Sequence, residues 1–188
     1  MGKNVLWFNE IKQEHNNIVG KKCANLGELT QMGLNVPPGF AIPIESYRRF
    51  TLETGIADEL SRYINSLGDL KDEKISKFDE IGKNIRSIIE GGEIPSAIRD
   101  DIGSAYEMLC NKVCIPNVPV SVRSAGVESR PGMFETYLNV TGVQKVLEKL
   151  KKVWSSAYTT RALVYRIKKG LPLLGDELGV AVVKMINA

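Results

Sequence analysis

Two stretches of the 188-residue chain carry residue types suited to holding an anion. The first is Gly20-Lys21-Lys22-Cys23-Ala24-Asn25-Leu26-Gly27-Glu28, which runs from loop into helix. A lysine beside the free N–H groups of a helix start combines charge with oriented donors, a sound way to hold phosphate. The spacing is not that of a Walker A loop, which needs Gly-x4-Gly-Lys-Ser/Thr. Read alone, Gly-Lys-Lys is more often only a solvated loop. The second stretch, Ser121-Val122-Arg123-Ser124-Ala125-Gly126-Val127-Glu128-Ser129-Arg130-Pro131-Gly132-Met133, directly follows a strand. Small residues at 124 to 126 let backbone amides approach an anion, and Gly132 permits a second close approach. Arg123 offers a planar fork that matches phosphate oxygens bidentately. The competing reading is a plain strand-turn with Arg123 paired to Glu128 or Glu135.

Other chemistry is sparse. Cys23, Cys110 and Cys114 form no CxxC pair, and an odd count without a secretion signal reads as reduced thiols in a cytoplasm. No histidine stands near them to complete a metal set, so packing is their expected role. The single histidine, His15, lies in the polar run QEHNN and is assigned no function. A net charge of +3 is too small to argue for nucleic acid. The basic stretches Lys145 to Lys152 and Arg161 to Lys169 read as solvated helix faces. Apolar residues make up 43% of the chain, yet no run approaches the roughly 20 needed to span a bilayer.

The elements that must position the two loops follow from periodicity. Val5 to Phe8 suits a first strand. Ala24, Leu26, Leu29 and Met32 fit a short helix closed by Gly33. Val36-Pro37-Pro38-Gly39-Phe40 forces an extended turn, because each proline fixes its own φ and restricts its predecessor. A strand over Phe40 to Ile44 follows. Ile75, Phe78, Ile85, Ile88 and Ile89 leave one helical stripe ended by Gly91-Gly92, and Pro95 opens another helix. Residues 45 to 112 therefore read as three or four helices inserted between strand-bearing regions. Val118 to Val122 and Thr136 to Val140 are strands. An amphipathic helix from Val143 to Ala157 and a second from Thr160 to Lys169 come next, and Gly179 to Ile186 reads as the last strand. With nothing following to cover it, that strand is expected to be exposed and to pair with a partner or a second copy through Val180 to Ile186.

Several ordered motifs resemble the pyruvate-phosphate dikinase and phosphoenolpyruvate synthase family. The family's Gly-Gly-Lys-x-Ala-x-Leu-Gly-Glu is similar to Gly20 to Glu28, and its Val-Pro-x-Gly-Phe to Val36 to Phe40. Its Val-Arg-Ser-small-small turn matches Val122 to Gly126, and its Pro-Gly-Met loop Pro131 to Met133. Glu135 to Val140 and Trp154 to Arg166 look more like the synthases. Lys21 departs from the pattern by replacing the second glycine, and Ala125-Gly126 reverses the usual order.

The resemblance implies an α/β (α+β) fold, the first lobe of an ATP-grasp-like domain: a mixed sheet with an inserted helical bundle. The nucleotide-binding lobe would comprise residues 1–44 and 113–188, and the helical subdomain residues 45–112. It implies ATP phosphates on Lys22 and Arg123, a loop around Gly132 and Met133 over the γ-phosphate, and a nucleotide contact from Arg161. No catalytic side chain and no metal ligand is assigned. The carboxylates for Mg²⁺ and the phosphoryl-accepting histidine would lie on a second lobe and a phosphohistidine domain outside this chain, which alone would not run the cycle. The implied function is ATP binding within a cytoplasmic phosphotransferase that passes phosphate to a histidine and then to pyruvate. The alternatives are a relative phosphorylating a phenol or an antibiotic, and a non-catalytic subunit of a split enzyme.

Overall fold

A computed structural model describes residues 3–70, 73–128 and 132–186. Five strands form one sheet: β1 Leu6–Trp7, β2 Gly39–Ile42, β3 Val120–Ala125, β4 Thr136–Val140 and β5 Gly179–Lys184. Their spatial order is β1-β2-β5-β3-β4. Every pairing is antiparallel, where a mixed sheet was expected. The α/β class and the bundle inserted between strands stand as expected.

The registers explain how the sheet divides its two faces. Leu6, Ala41, Ala181, Arg123 and Thr136 are successive cross-strand partners on one face. Trp7, Phe40, Val182, Val122 and Tyr137 are the corresponding row on the other. Side chains alternate along a strand, so one face is bulky and the other small. The bulky face is covered by α3 Ile44–Glu53, α5 Ile75–Gly91, α6 Ser96–Val113 and α7 Val143–Ser155, and shares with them one core containing Phe40, Phe50, Ile85, Ile102, Val122, Trp154 and Val182. Also on this side are α4 Ile56–Asn65 and α8 Thr160–Lys168. Trp154 stacks on Phe50 with ring centroids 5.3 Å apart.

The small face receives α2, Lys21–Gln31, which follows the single turn α1, Asn16–Val19. Here the helix buries Cys23, Ala24 and Gly27 and leaves Leu29 and Met32 in solvent, at 39% and 68% exposure. Cys23 and Ala24 share a core with Ala41, Ala125 and Ala181 of the sheet, and Gly27 faces the segment before α1, where a Cβ would lie 2.5 Å from the Ile11 carbonyl oxygen. Gly33 closes the helix as expected, at φ +74°, with the Leu34 amide donating to Leu29 O at 3.1 Å.

Two expectations need correction. The strand over 179–184 is not exposed: β5 is hydrogen-bonded to β2 on one side and β3 on the other, and Val180, Ala181 and Val182 are fully buried. Its backbone groups are already paired, so it offers no open edge for self-association. The basic stretch Arg161 to Lys169 is not uniformly solvated either. Arg166 is buried, donates to Pro172 O at 2.6 Å and Leu174 O at 3.1 Å, and ion-pairs with Asp176. None of the described helices is long and apolar enough to cross a membrane.

Candidate functional site: a cationic groove between α2 and the β3–β4 loop

The two stretches singled out by residue type meet in space. The corner between α1 and α2 is pressed onto the end of β3. Gly20 has φ +82°, and a Cβ there would stand 1.9 Å from the Ala125 carbonyl oxygen. No other residue type fits such an approach. The next amide, of Lys21, donates to Gly126 O at 2.9 Å, and the Asn16 side-chain amide reaches Val127 O at 3.4 Å. The β3 strand runs on through Ala125, further than Val122, so Arg123 and Ser124 lie within it rather than in a loop. Its pairing with β4 stops at Arg123↔Thr136, leaving Ser124 and Ala125 unpaired on that side. The freed carbonyl of Ser124 accepts from Lys22 Nζ at 2.7 Å.

The result is a groove of ≈ 510 Å³ lined by Lys21, Lys22, Asn25, Arg123, Gly132 and Phe134, with Ser124 to Gly126, Glu128 and Thr136 completing the wall. Arg123 stands on the small face of the sheet beside α2, with Thr136 next to it in register. Neither Lys21 nor Arg123 makes a side-chain hydrogen bond or ion pair with a described residue, so the pairing of Arg123 with Glu128 or Glu135 does not occur. Burial, and secondarily the Arg123 charge, hold the Lys22 ammonium below the usual lysine range. Burial also pushes the neighbouring Cys23 thiol up to about 12, which marks it as a packing residue.

Of the expected contacts, Lys22, Arg123 and Gly132 come together here. Met133 does not line the groove; its neighbour Phe134 does. Arg161 is exposed on α8 and lines neither this groove nor the smaller one beside it. Pro131 of the Pro-Gly-Met loop lies outside the described residues. Asn25 and Thr136 also line the groove, and residue type alone does not single them out. Asn25 is one helical turn from Lys21, a spacing visible in the sequence; Thr136 needed the β3–β4 register. His15 caps locally, its Nδ1 accepting from the Lys12 amide at 3.0 Å.

The smaller groove is lined by Asn17, Arg48, Val127, Asp176, Glu177 and Leu178, and it shares Gly126, Glu128 and Phe134 with the first. Its acids are engaged: Glu177 accepts from Arg48 Nε at 2.7 Å, and Asp176 pairs with Arg166. No group of three or more metal-ligating side chains occurs among the described residues. Among the described residues the main groove offers three cations and one carboxylate, Glu128, a donor set that does not by itself fit Mg²⁺.

Comparison with known proteins gives this geometry its context. Residues 16–188 match the family described as pyruvate phosphate dikinase, AMP/ATP-binding domain. A probable phosphoenolpyruvate synthase of Archaeoglobus fulgidus is 40% identical over 190 residues, covering 98% of this chain and 25% of that protein. The phosphoenolpyruvate synthase of Aeropyrum pernix is 36% identical, over 98% of this chain and 23% of its own length. A probable phosphoenolpyruvate synthase of Staphylothermus marinus is 35% identical over the same shares, 98% and 23%. The chain thus spans about a quarter of the relatives it matches. Matched over residues 16–188, the chain belongs to the pyruvate phosphate dikinase AMP/ATP-binding domain family.

Proposed function

We propose that the groove holds the phosphates of ATP, with Lys22 and Arg123 as the principal charge-neutralising contacts and Gly132 at the mouth. The observation that carries this reading is the convergence of three cations with one carboxylate and with no ion pair on Lys21, Lys22 or Arg123 among the described residues. Uncompensated charge of one sign is unfavourable in an empty groove and favourable once a polyanion enters it. Lys22 is aimed by a carbonyl dipole and not neutralised by a carboxylate, so its charge stays available. The small sheet face beside Arg123 leaves room for the ligand.

On this reading residues 1–44 and 113–188 form the nucleotide-binding lobe, and 45–112 a helical subdomain braced on the sheet. The chain supplies the ATP site of a phosphoenolpyruvate synthase- or dikinase-like phosphotransferase, in which phosphate passes to a histidine and then to pyruvate. Phosphoryl transfer of this kind rests on positioning and electrostatic stabilisation. Here Lys22 and Arg123 orient the phosphates and spread the developing charge. Mg²⁺ would need carboxylates beyond those in the groove, and acceptor histidine and pyruvate site would lie on further polypeptide.

Calorimetry with ATP tests the assignment. Lys22→Ala and Arg123→Ala should each weaken binding by about ten- to a hundredfold, the loss of a charge-assisted contact. Lys149→Ala, on the far side of the sheet beside Tyr137, should bind like the wild type. Equal affinity in all three variants would defeat the assignment.

A further inference from the structure

Lys21 is the third cation of the groove, and its surroundings separate its backbone from its side chain. The amide donates to Gly126 O at 2.9 Å, so it has no N–H left to offer a ligand. The Gly20–Ala125 approach pins the peptide just before it. The side chain is exposed and lines the groove, and its ammonium has no hydrogen bond or ion pair with a described residue. What Lys21 can contribute is therefore one positive charge at a fixed root, on the same helix face as Asn25, four residues on.

Counting charge gives that ammonium a purpose. A nucleoside monophosphate carries about two negative charges near neutrality, and two cations suffice to match it. Lys22, held over the end of β3, and Arg123 beside it already supply those two. A third cation finds a partner only when the ligand brings further phosphates. We infer that Lys21 is a specificity-determining residue, which grades nucleotides by the length of their phosphate chain and favours the triphosphate over the monophosphate. The inference rests on the phosphate reading proposed above. Because Lys21 is exposed, its contribution is screened by salt, unlike that of the half-buried Lys22.

The test is calorimetric titration of the 188-residue chain with ATP, ADP and AMP, at low and at high salt, for wild type, Lys21→Gln and Lys21→Arg. Lys21→Gln keeps most of the stem and removes the charge. It should weaken ATP by roughly two- to fivefold at low salt, the effect of one exposed charge, and leave AMP unchanged. Lys21→Arg should restore the ATP preference, and high salt should erase the difference between wild type and Lys21→Gln. Unchanged ATP affinity in Lys21→Gln, or an equal loss for ATP and AMP, overturns the inference while the phosphate reading stands. Failure of the wild type to bind any of the three nucleotides overturns both.

Discussion

The ammonium of Lys22 donates to the main-chain oxygen of Ser124 at 2.7 Å, joining residues 102 apart in sequence through a side chain and a backbone dipole. A carboxylate in that place would have neutralised the lysine. A carbonyl aims it and leaves the charge, at the expense of a half-buried cation beside Arg123.

A pH dependence follows, with a defined sign. Burial first, and Arg123 second, lower the Lys22 pKa from its ordinary 10.5. Below the lowered value, folded and unfolded chains both carry the proton, and the cost of the buried charge is constant. Between that value and 10.5 the unfolded chain alone stays protonated, so this group makes stability rise with pH. Nucleotide affinity should move the other way, falling as Lys22 loses its proton at a pH below 10.5. Lys22→Met should abolish that part of the affinity profile and raise the melting temperature of the nucleotide-free protein. Calorimetry across pH 7 to about 10, with thermal melts of both proteins, checks this. A melting temperature lowered by the substitution would show that the cation stabilises the empty groove.

The corner at Gly20 should tolerate nothing larger. Gly20→Ala meets the Ala125 carbonyl and needs positive φ, so α2 must lift from β3. Gly33 has a similar φ of +74° with nothing within 4 Å, and serves as the control. Positive φ costs alanine about 1–2 kcal/mol, so Gly33→Ala should lose that much in urea melts. Gly20→Ala should lose more and should also weaken ATP binding, which Gly33→Ala should leave intact. Equal losses at both sites would mean that the chain relaxes around Gly20 freely.

Arg166 ties the segment before β5 to α8 through Pro172 O, Leu174 O and Asp176. Removing one partner of a buried ion pair leaves the other uncompensated, at about 3–5 kcal/mol. Asp176→Ala should therefore destabilise the protein by about 3 kcal/mol in denaturant titrations. The double substitution Arg166→Met with Asp176→Leu should cost less than the sum of Arg166→Met and Asp176→Leu measured singly. Strict additivity would show that the pair is not coupled.

Much of this fold is legible in local pattern. Gly91-Gly92, Pro95 and Gly33 mark helix ends because their backbone preferences act within one turn. What local pattern does not carry is partnership. GVAVVK reads as a strand, but only the registers with Phe40 and Val122 show that Val182 lies between two others. Leu29 and Met32 have helical spacing, yet the sheet's alanine row selects the small side of that helix. Arg166 sits among surface lysines in sequence, and its acceptors lie in a segment with no periodicity. In the groove, Lys22 and Arg123 were accessible from residue type and motif. Thr136 was not, because its place depends on a pairing offset by an irregularity between Val120 and Val122, near Asn139 at φ +55°.

The order of the strands has a consequence for how the molecule comes into being. The last in chain order of the five described strands, β5, stands in the middle of the sheet, flanked by β2 and β3. During synthesis, β1–β2 and β3–β4 can each form as separate ribbons, but no strand pairing joins them until the residues around Gly179 to Lys184 emerge. The loop to be closed is then long: Phe40 must meet Val182 across most of the chain. Such non-local pairings form slowly, and two open ribbon edges wait meanwhile. The Gly20–Ala125 corner is backed by β5 as well, since Gly179 packs closely against Val19 beside it. Nascent chains of this protein should therefore acquire the anion groove late and all at once, which makes the interval before β5 arrives the period of greatest exposure to misassembly.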